Sequence, residues 1–548
     1  MALYTAVWPA NGRGRVDAKA SPVAERHAKT VAPQSTNVAR IVALTLLLFL
    51  FVRSAWMGDD AFVVLRTALN ATHGWGPGFN VTEVVQGYTS PLWFLLWILV
   101  EQITHWSVLG VLLLSVVLST LAVAIPILLA PNAGTVIVVT VVLAFSNAFF
   151  DFTSGGLENP LAYLFLGLLA LLSFHGSDIS VLRTVGLGLV AAAVVLTRFD
   201  LVLIILPVGL WLIWSLRRDK SRLVSLLVAF VVPLGIWFAW SYATYASILP
   251  NTYLAKTNAD IPRLELITQG VLYLWVSLTK DPLTLFIVAT FLAAALVYRW
   301  TYLTLWAIGL FAYLLYVVWV GGDYMAGRFL SAPVFVSVVL LTLLARHRAY
   351  MSEASSGSTR VTWRTSVVGL LTAGVIFSFA SLWGKPPTAI EPPREPRWDS
   401  TLTFGVADEV GSVAARGWTL SALMESQLNA DTPKNNWLAV IAVSANEWPN
   451  KTGEVEYPVN VWGPDCAWIA DGIVLGPLTH QIVDCPLTDR FLAEMPFRPG
   501  SLFGWRPGHL VRQIPEGYVD AIKFGDPNLL DDPVQADELK DLWNIIRP

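Results

Sequence analysis

The feature that most constrains this chain is a succession of long apolar segments, at roughly 38–56, 107–129, 133–150, 159–174, 180–197, 201–216, 222–246, 283–299, 301–320, 329–345 and 363–383. Each is long enough, or nearly so, to cross about 30 Å of hydrocarbon as a helix. Composition agrees. Only 14% of the 548 residues are charged and 55% are hydrophobic, whereas a soluble globule carries about 25% charge. The expected class is a polytopic α-helical membrane protein whose constant partner is the lipid bilayer. A soluble enzyme, a nucleic-acid binder, a coiled coil and a disordered scaffold are excluded. Many of the 24 Trp sit near the ends of the apolar runs, where interfacial anchors belong.

Positive charge sets the topology. Residues 1–37 are polar and carry Arg13, Arg15, Lys19, Arg26 and Lys29, which reads as a disordered cytosolic tail rather than a cleaved leader. The basic loops Arg217-Arg218-Lys220-Arg222 and Arg346-His347-Arg348 should also be cytosolic. A twelfth apolar stretch, 91–104, reaches only about 21 Å as a helix. Both basic loops fall inside only if it does not cross. The expectation is therefore about eleven transmembrane helices over 38–383. Segment 91–104 then lies along the outer interface within a long external loop, 57–106, and the C-terminus is external.

Beyond the last span the composition changes. Residues 384–397 form a Pro-rich spacer, and 398–548 have the size of one soluble domain. Short apolar runs at Trp437 to Val443, Val459 to Trp462 and Ile473 to Leu475, bounded by Gly, Pro and Asn, predict a mixed α/β or β-rich external domain. Its Trp437, Trp448, Trp462, Trp468 and Trp505 are candidates to stack on sugar rings, although each taken singly fits a core position as well. The only two cysteines, Cys466 and Cys485, lie here and read as a disulfide. The seven His show no metal-ligand spacing, and no glycine motif that would cradle phosphate is present.

The parity count gathers polar residues on the outer side. Asp59 and Asp60 follow the first span. Paired acids at the mouth of a bilayer groove suit a base for a sugar hydroxyl, a carboxylate at an oxocarbenium-like carbon, or a ligand for a divalent cation. The bland alternative is a helix N-cap. Asp323 and Arg328 close a glycine-rich loop, Gly321 to Arg328. Arg328 is a fork of donors suited to phosphate, and its alternative is a salt bridge to Asp323. Arg198 beside Asp200, Lys256, and Glu158 at a helix start complete the outer set; local ion pairing, a solvated lysine and dipole pairing are their alternatives. Acids for a hydroxyl and cations for a phosphate, at the lipid–water boundary, point to group transfer from a lipid phosphate. A transporter would place charges near mid-membrane.

Scattered motifs carry a resemblance. They are Asp59-Asp60 with Leu65-Arg66-Thr67, Gly76 with Phe79-Asn80, Glu83, Thr89-Ser90 with Trp93, and Asp151-Phe152-Thr153-Ser154-Gly155 with Leu157-Glu158. Gly321-Gly322-Asp323 with Gly327-Arg328, Trp505 to His509, and Ile514 to Tyr518 complete the set. In these the chain resembles GT-C glycosyltransferases, and most closely the actinobacterial terminal arabinofuranosyltransferase (AftB-type) family. It carries one more glycine, Gly156, than the Thr-Ser-Gly-Leu-Glu pattern. The resemblance implies a plasma-membrane enzyme acting on the outer face. The donor would be decaprenyl-phosphoryl-arabinofuranose, and the acceptor the non-reducing end of arabinan in arabinogalactan or lipoarabinomannan. The linkage would be terminal β(1→2), with net retention. It makes Asp59 and Asp60 catalytic, with Asp59 slightly favoured as the reactive one. Arg66, Glu83, Glu158, Arg198, Asp200, Lys256, Asp323 and Arg328 become substrate-binding residues, with Arg328 on the donor phosphate. The external domain would bind the glycan. No cofactor is implied with certainty; a divalent cation stays open, as do another polyprenyl-phosphate sugar such as mannose, a lipid-linked glycan transporter, and a non-catalytic scaffold.

Overall fold

The computed structural model describes residues 34–174, 180–257, 261–354, 387–399, 403–428, 437–451, 460–462, 469–483, 485–497 and 509–547. Most of the basic tail and the apolar run at 363–383 lie outside these residues. Among the described residues the chain is a helical, polytopic membrane protein. Six helices are long and apolar enough to cross a bilayer: Gln34–Arg53, Ser107–Leu129, Phe199–Leu216, Lys220–Tyr245, Thr301–Trp319 and Arg328–Met351. Two bent pairs raise the number to eight. Asn159–Ser173 and Val181–Thr197 match expected spans but hold 15 and 17 residues. At about 1.5 Å per residue they reach only about 22 to 26 Å.

One helix was not expected. Arg263–Lys280 meets Pro282–Tyr298 at a bend of 106°. Its ends carry Arg263, Glu265 and Lys280, which hides it from an apolar-run reading. The break is at Asp281, whose non-helical backbone (φ −142°, ψ 65°) precedes a proline, the position where helical geometry is disfavoured.

Charge separates the two ends of the helix bundle. At one end Arg40 and Arg346 donate to Ala130 O (2.9 Å) and Leu129 O (3.1 Å), and Arg183 donates to Leu172 O (2.9 Å). These guanidiniums close the C-terminal carbonyls of helices, where cations are favoured. Arg348 lies over the Tyr298 ring at the same end. The candidate site residues gather at the other.

The 57–106 segment forms two helices, Ala61–Thr72 and Pro91–Thr104. The second buries Trp93, Phe94 and Trp97, and Trp93 Nε1 donates to Gly156 O at 2.9 Å. The C-terminal segment packs onto this region. Val410, Trp418, Ile441 and Trp448 share one apolar core with the membrane helices. A smaller cluster joins Val85 to Phe491, Tyr518 and Trp543.

Two of the three short apolar runs are helical. Trp437–Asn446 buries Leu438, Ile441 and Ala445, a helical spacing that a short apolar run does not separate from a strand. Asp471–Leu475 is a single helical turn. The third run is a strand, Asn460–Trp462, paired in parallel with Gln481–Val483. Helix thus predominates over strand among the described residues of this segment. Trp448 is core, with its Nε1 donating to Asn70 Oδ1 at 3.3 Å. Trp437 is exposed. Trp468 and Trp505 lie outside the described residues.

Candidate active site

Gly58 ties the start of the site to the bundle through its N–H, which bonds Gly155 O at 3.0 Å. Asp59 and Asp60 follow and lead into Ala61–Thr72. Asp60 occupies the N-cap position, yet no side-chain cap bond forms. The helix-cap reading therefore does not account for its carboxylate. Glu158 stands in the same way before Asn159–Ser173, again without a cap bond.

These free carboxylates meet two arginines. Arg328 Nη1 lies 2.8 Å from Asp60 Oδ2, and Arg328 also faces Glu158 (3.6 Å) and Asp323 (3.7 Å). Arg198 binds Asp200 through two nitrogens, at 2.7 and 3.1 Å, and faces Glu158 Oε1 at 3.8 Å. Glu158 thus bridges the two guanidiniums. Tyr313 donates to Asp200 Oδ2 at 3.0 Å, and Phe329 covers Arg198. Five separate stretches of chain converge here. Lys256, an exposed residue, adds positive charge that reaches Asp60.

The Gly321 to Gly327 loop makes this approach possible. Gly322 and Gly327 have φ near +74° and +79°. A Cβ there would lie 2.6 Å from Tyr273 Cβ and 2.8 Å from Ala148 Cα. The glycines therefore serve close packing of protein on protein, whereas the sequence suggested close approach to a ligand.

The two adjacent aspartates sit in opposite electrostatic settings. Burial pushes the Asp59 carboxyl up to about 7, with the Asp60 and Asp471 charges adding to it. Backbone N–H groups of Ile469 and Ala470, at 3.2 and 3.1 Å, oppose that rise. Burial acts on Asp60 too, but His509, Arg328 and Lys256 overcome it and hold this carboxyl well below the usual range. His509 Nε2 lies 3.3 Å from Asp60 Oδ1, and the Tyr324 hydroxyl donates to the same oxygen at 3.5 Å.

Asp59, Asp60, Glu158, Arg198, Asp200, Lys256, Asp323 and Arg328 are therefore brought together. Two expected site residues are not. Arg66 is fully buried and spends its guanidinium on the carbonyls of Phe79 (2.8 Å), Gly472 (2.7 Å) and Thr479 (2.6 Å). It fastens the 57–106 segment to the C-terminal segment. Glu83 accepts from Trp543 Nε1 at 3.2 Å and faces Arg547 at 3.8 Å. Burial, then the nearby Asp489 charge, push its carboxyl up to about 8. Asn80 adds a reciprocal amide pair with Gln481, both bonds 3.0 Å.

Tyr324 and His509 are site residues that the sequence reading did not single out, although His509 ends one of its motifs. Their signal was position: Tyr324 lies inside the glycine loop. Another missed element is Arg397, in the Pro-rich spacer. It binds Asp408 (2.5 and 2.8 Å) and Asp151 (2.6 Å), and Thr388 completes the cluster. Among the described residues no group of three or more His, Cys, Asp or Glu is arranged to hold a metal ion. Cys485 is disulfide-bonded; Cys466 lies outside the described residues. A cavity of about 320 Å³, counting space open to solvent, is lined by Asn147, Asp151, Tyr273, Lys280, Gly327 and Trp398.

No protein-family model matches the sequence. A terminal beta-(1->2)-arabinofuranosyltransferase of Corynebacterium glutamicum is 26% identical over 335 residues, covering 53% of this chain and 48% of the relative. The resemblance read from the motifs is thus met by a sequence match over about half of this chain. The match spans about half of that relative's length. Among solved structures, ArnT from Cupriavidus metallidurans, crystallised with undecaprenyl phosphate, aligns over 94% of this chain and 92% of its own. The TM-score is 0.44 and the identity 13%.

Proposed function

We propose that the chain is a membrane glycosyltransferase that moves arabinofuranose from decaprenyl-phosphoryl-arabinose to the non-reducing ends of cell-wall arabinan, in terminal β(1→2) linkage. The observation that carries this reading is the network Asp60–Arg328–Glu158–Arg198–Asp200, assembled at the bundle end opposite the basic loops. The positive-inside rule puts that end on the outer face, with Pro91–Thr104 along the interface. The similarity to a terminal arabinofuranosyltransferase supports the choice of sugar.

The opposed settings of the aspartates suggest a division of labour. Two carboxylates whose environments push their proton affinities apart are the usual mark of distinct acid–base roles. Asp60, held ionised, attacks the anomeric carbon, and the bond from that carbon to the lipid phosphate breaks. The acceptor hydroxyl oxygen then attacks the same carbon, and the bond to Asp60 breaks. Asp59, with its raised proton affinity, takes the hydroxyl proton. Two inversions give net retention. Asp60 thus replaces Asp59 as the favoured residue at the anomeric carbon.

Charge count limits what the arginines do. Asp60, Glu158, Asp200 and Asp323 surround two guanidiniums, so the network is already rich in acid. A donor phosphate on Arg328 draws it away from part of that set, and exposed Lys256 supplies further positive charge. The C-terminal segment, which holds both aspartates from outside, is the natural seat of the acceptor glycan.

The test is transfer by purified protein in detergent or proteoliposomes. Decaprenyl-phosphoryl-arabinose, and separately decaprenyl-phosphoryl-mannose, are offered with a synthetic arabinan acceptor. A new β(1→2)-arabinofuranosyl end from the first donor supports the reading. Transfer only from the mannose donor corrects the sugar, and donor movement across the bilayer without a new glycosidic bond replaces the enzyme reading by transport.

A further inference from the structure

The contacts around Asp60 assign a role to a residue outside the membrane helices. Arg328 fixes only one carboxylate oxygen, Oδ2. A carboxylate held at one oxygen still turns about its Cβ–Cγ bond. The second oxygen, Oδ1, faces His509 Nε2 at 3.3 Å and the Tyr324 hydroxyl at 3.5 Å. The tyrosine distance is long for a hydroxyl donor, so His509 is the principal restraint. Its ring stands edge-on to Tyr324, with centroids 4.3 Å apart and planes at 71°, and this contact sets the direction in which Nε2 points. Tyr324 is itself held in the glycine loop, where its carbonyl accepts from Ala407 N–H at 2.7 Å.

The stretch that carries His509 has other anchors. Three residues on, Arg512 is fully buried and donates to Ala255 O at 2.7 Å. Gln513 N–H bonds Pro496 O at 3.0 Å. The Arg66 and Arg397 clamps fasten the rest of the segment. With the backbone around it anchored by these contacts, His509 presents Nε2 to the carboxylate from a fixed position.

We propose that His509 is the positioning residue for Asp60. It fixes the second carboxylate oxygen, so that docking of the C-terminal segment completes a site otherwise built by the membrane helices. The inference rests on the transferase reading above for its catalytic meaning. The tautomer with hydrogen on Nε2 donates to Oδ1; protonation strengthens the same contact.

Two variants test it. His509→Ala removes the contact. His509→Gln keeps an N–H donor of similar reach. A hydrogen bond to a charged group is worth roughly a 10- to 100-fold effect. In His509→Ala, kcat should fall by about that factor, while donor and acceptor KM move by less than about threefold. His509→Gln should recover most of the lost kcat. A kcat within twofold of wild type in the alanine variant overturns the proposal, as does a glutamine variant no better than alanine.

A second readout needs no turnover. Thermal stability of the full chain in detergent is measured for His509→Ala, Asp60→Asn and the double variant. Coupled residues give non-additive shifts in Tm; additive shifts overturn the contact itself. If the wild-type protein transfers no sugar from any polyprenyl phosphate offered, the transferase reading fails, and the Tm cycle still decides the pairing.

Discussion

Arg397→Met removes a guanidinium that lies between Asp151 and Asp408 and keeps a side chain of similar length. The structure gives the size of the effect. All three side chains are at most 5% exposed, and Arg397 makes three bonds of 2.5 to 2.8 Å to the carboxylates. Without it, two buried acids face each other unpaired. Breaking a buried pair in this way costs about 3–5 kcal/mol. Relief comes when one acid takes up a proton. For a carboxyl of ordinary affinity near 3.9 this costs about 4 kcal/mol at pH 7 and about 1.5 kcal/mol at pH 5. The penalty should therefore shrink by nearly 3 kcal/mol over that pH range. The sign is fixed: the variant gains relative to wild type as pH falls, because its folded state binds the extra proton. Intrinsic tryptophan fluorescence during denaturant unfolding in detergent, at both pH values, reads this. Limited proteolysis of the C-terminal segment reports the local opening. Asp408→Asn in the Arg397→Met background should recover much of the loss at pH 7. A penalty under 1 kcal/mol at pH 7, or one that does not change with pH, refutes the reasoning.

Further outcomes concern the acids and the disulfide. With Asp59 as base, kcat/KM should rise through pH of about 7, and this limb should be absent in the residual activity of Asp59→Asn. Glu83→Gln should leave donor and acceptor KM within about twofold, since Glu83 touches Trp543 and Arg547 rather than the network. Because the folded Glu83 carboxyl is raised to about 8, its stabilising contribution is complete at low pH and is lost as pH rises through that value. Tm against pH should thus slope less steeply in Glu83→Gln than in wild type. Mass spectrometry of unreduced peptides should show Cys466 and Cys485 joined, with a deficit of two hydrogens; two free thiols would overturn that pairing.

The membrane class and most helix positions were legible because long apolar runs have few other fates in water. Ser107–Leu129 matches its expected bounds residue for residue. Arg263–Lys280 was not legible, because its polar termini break the run. The state of Trp437–Asn446 was left open because seven apolar residues between turn signals suit a strand as well as a helix. In the site, that Asp60, Glu158, Arg198, Asp200, Asp323 and Arg328 share one end of the helix bundle could be read from topology alone. That Glu158 bridges both arginines could not, since the contact joins segments far apart in sequence. Arg66 and Glu83 were misplaced for a related reason. A buried charge that anchors one segment to another carries the same motif-like appearance as one that binds substrate. Only the partners tell them apart: backbone carbonyls for Arg66, an indole and Arg547 for Glu83.

The most direct measurement is a single-turnover comparison of wild type and Asp60→Asn with saturating decaprenyl-phosphoryl-arabinose and arabinan acceptor, alongside donor binding to each. The substitution keeps the shape of the side chain and removes the charge facing Arg328 and His509. Transfer should fall by about 100-fold or more while donor affinity changes by less than about threefold. Transfer by Asp60→Asn at near the wild-type rate would contradict the assignment of this carboxylate to the reaction centre.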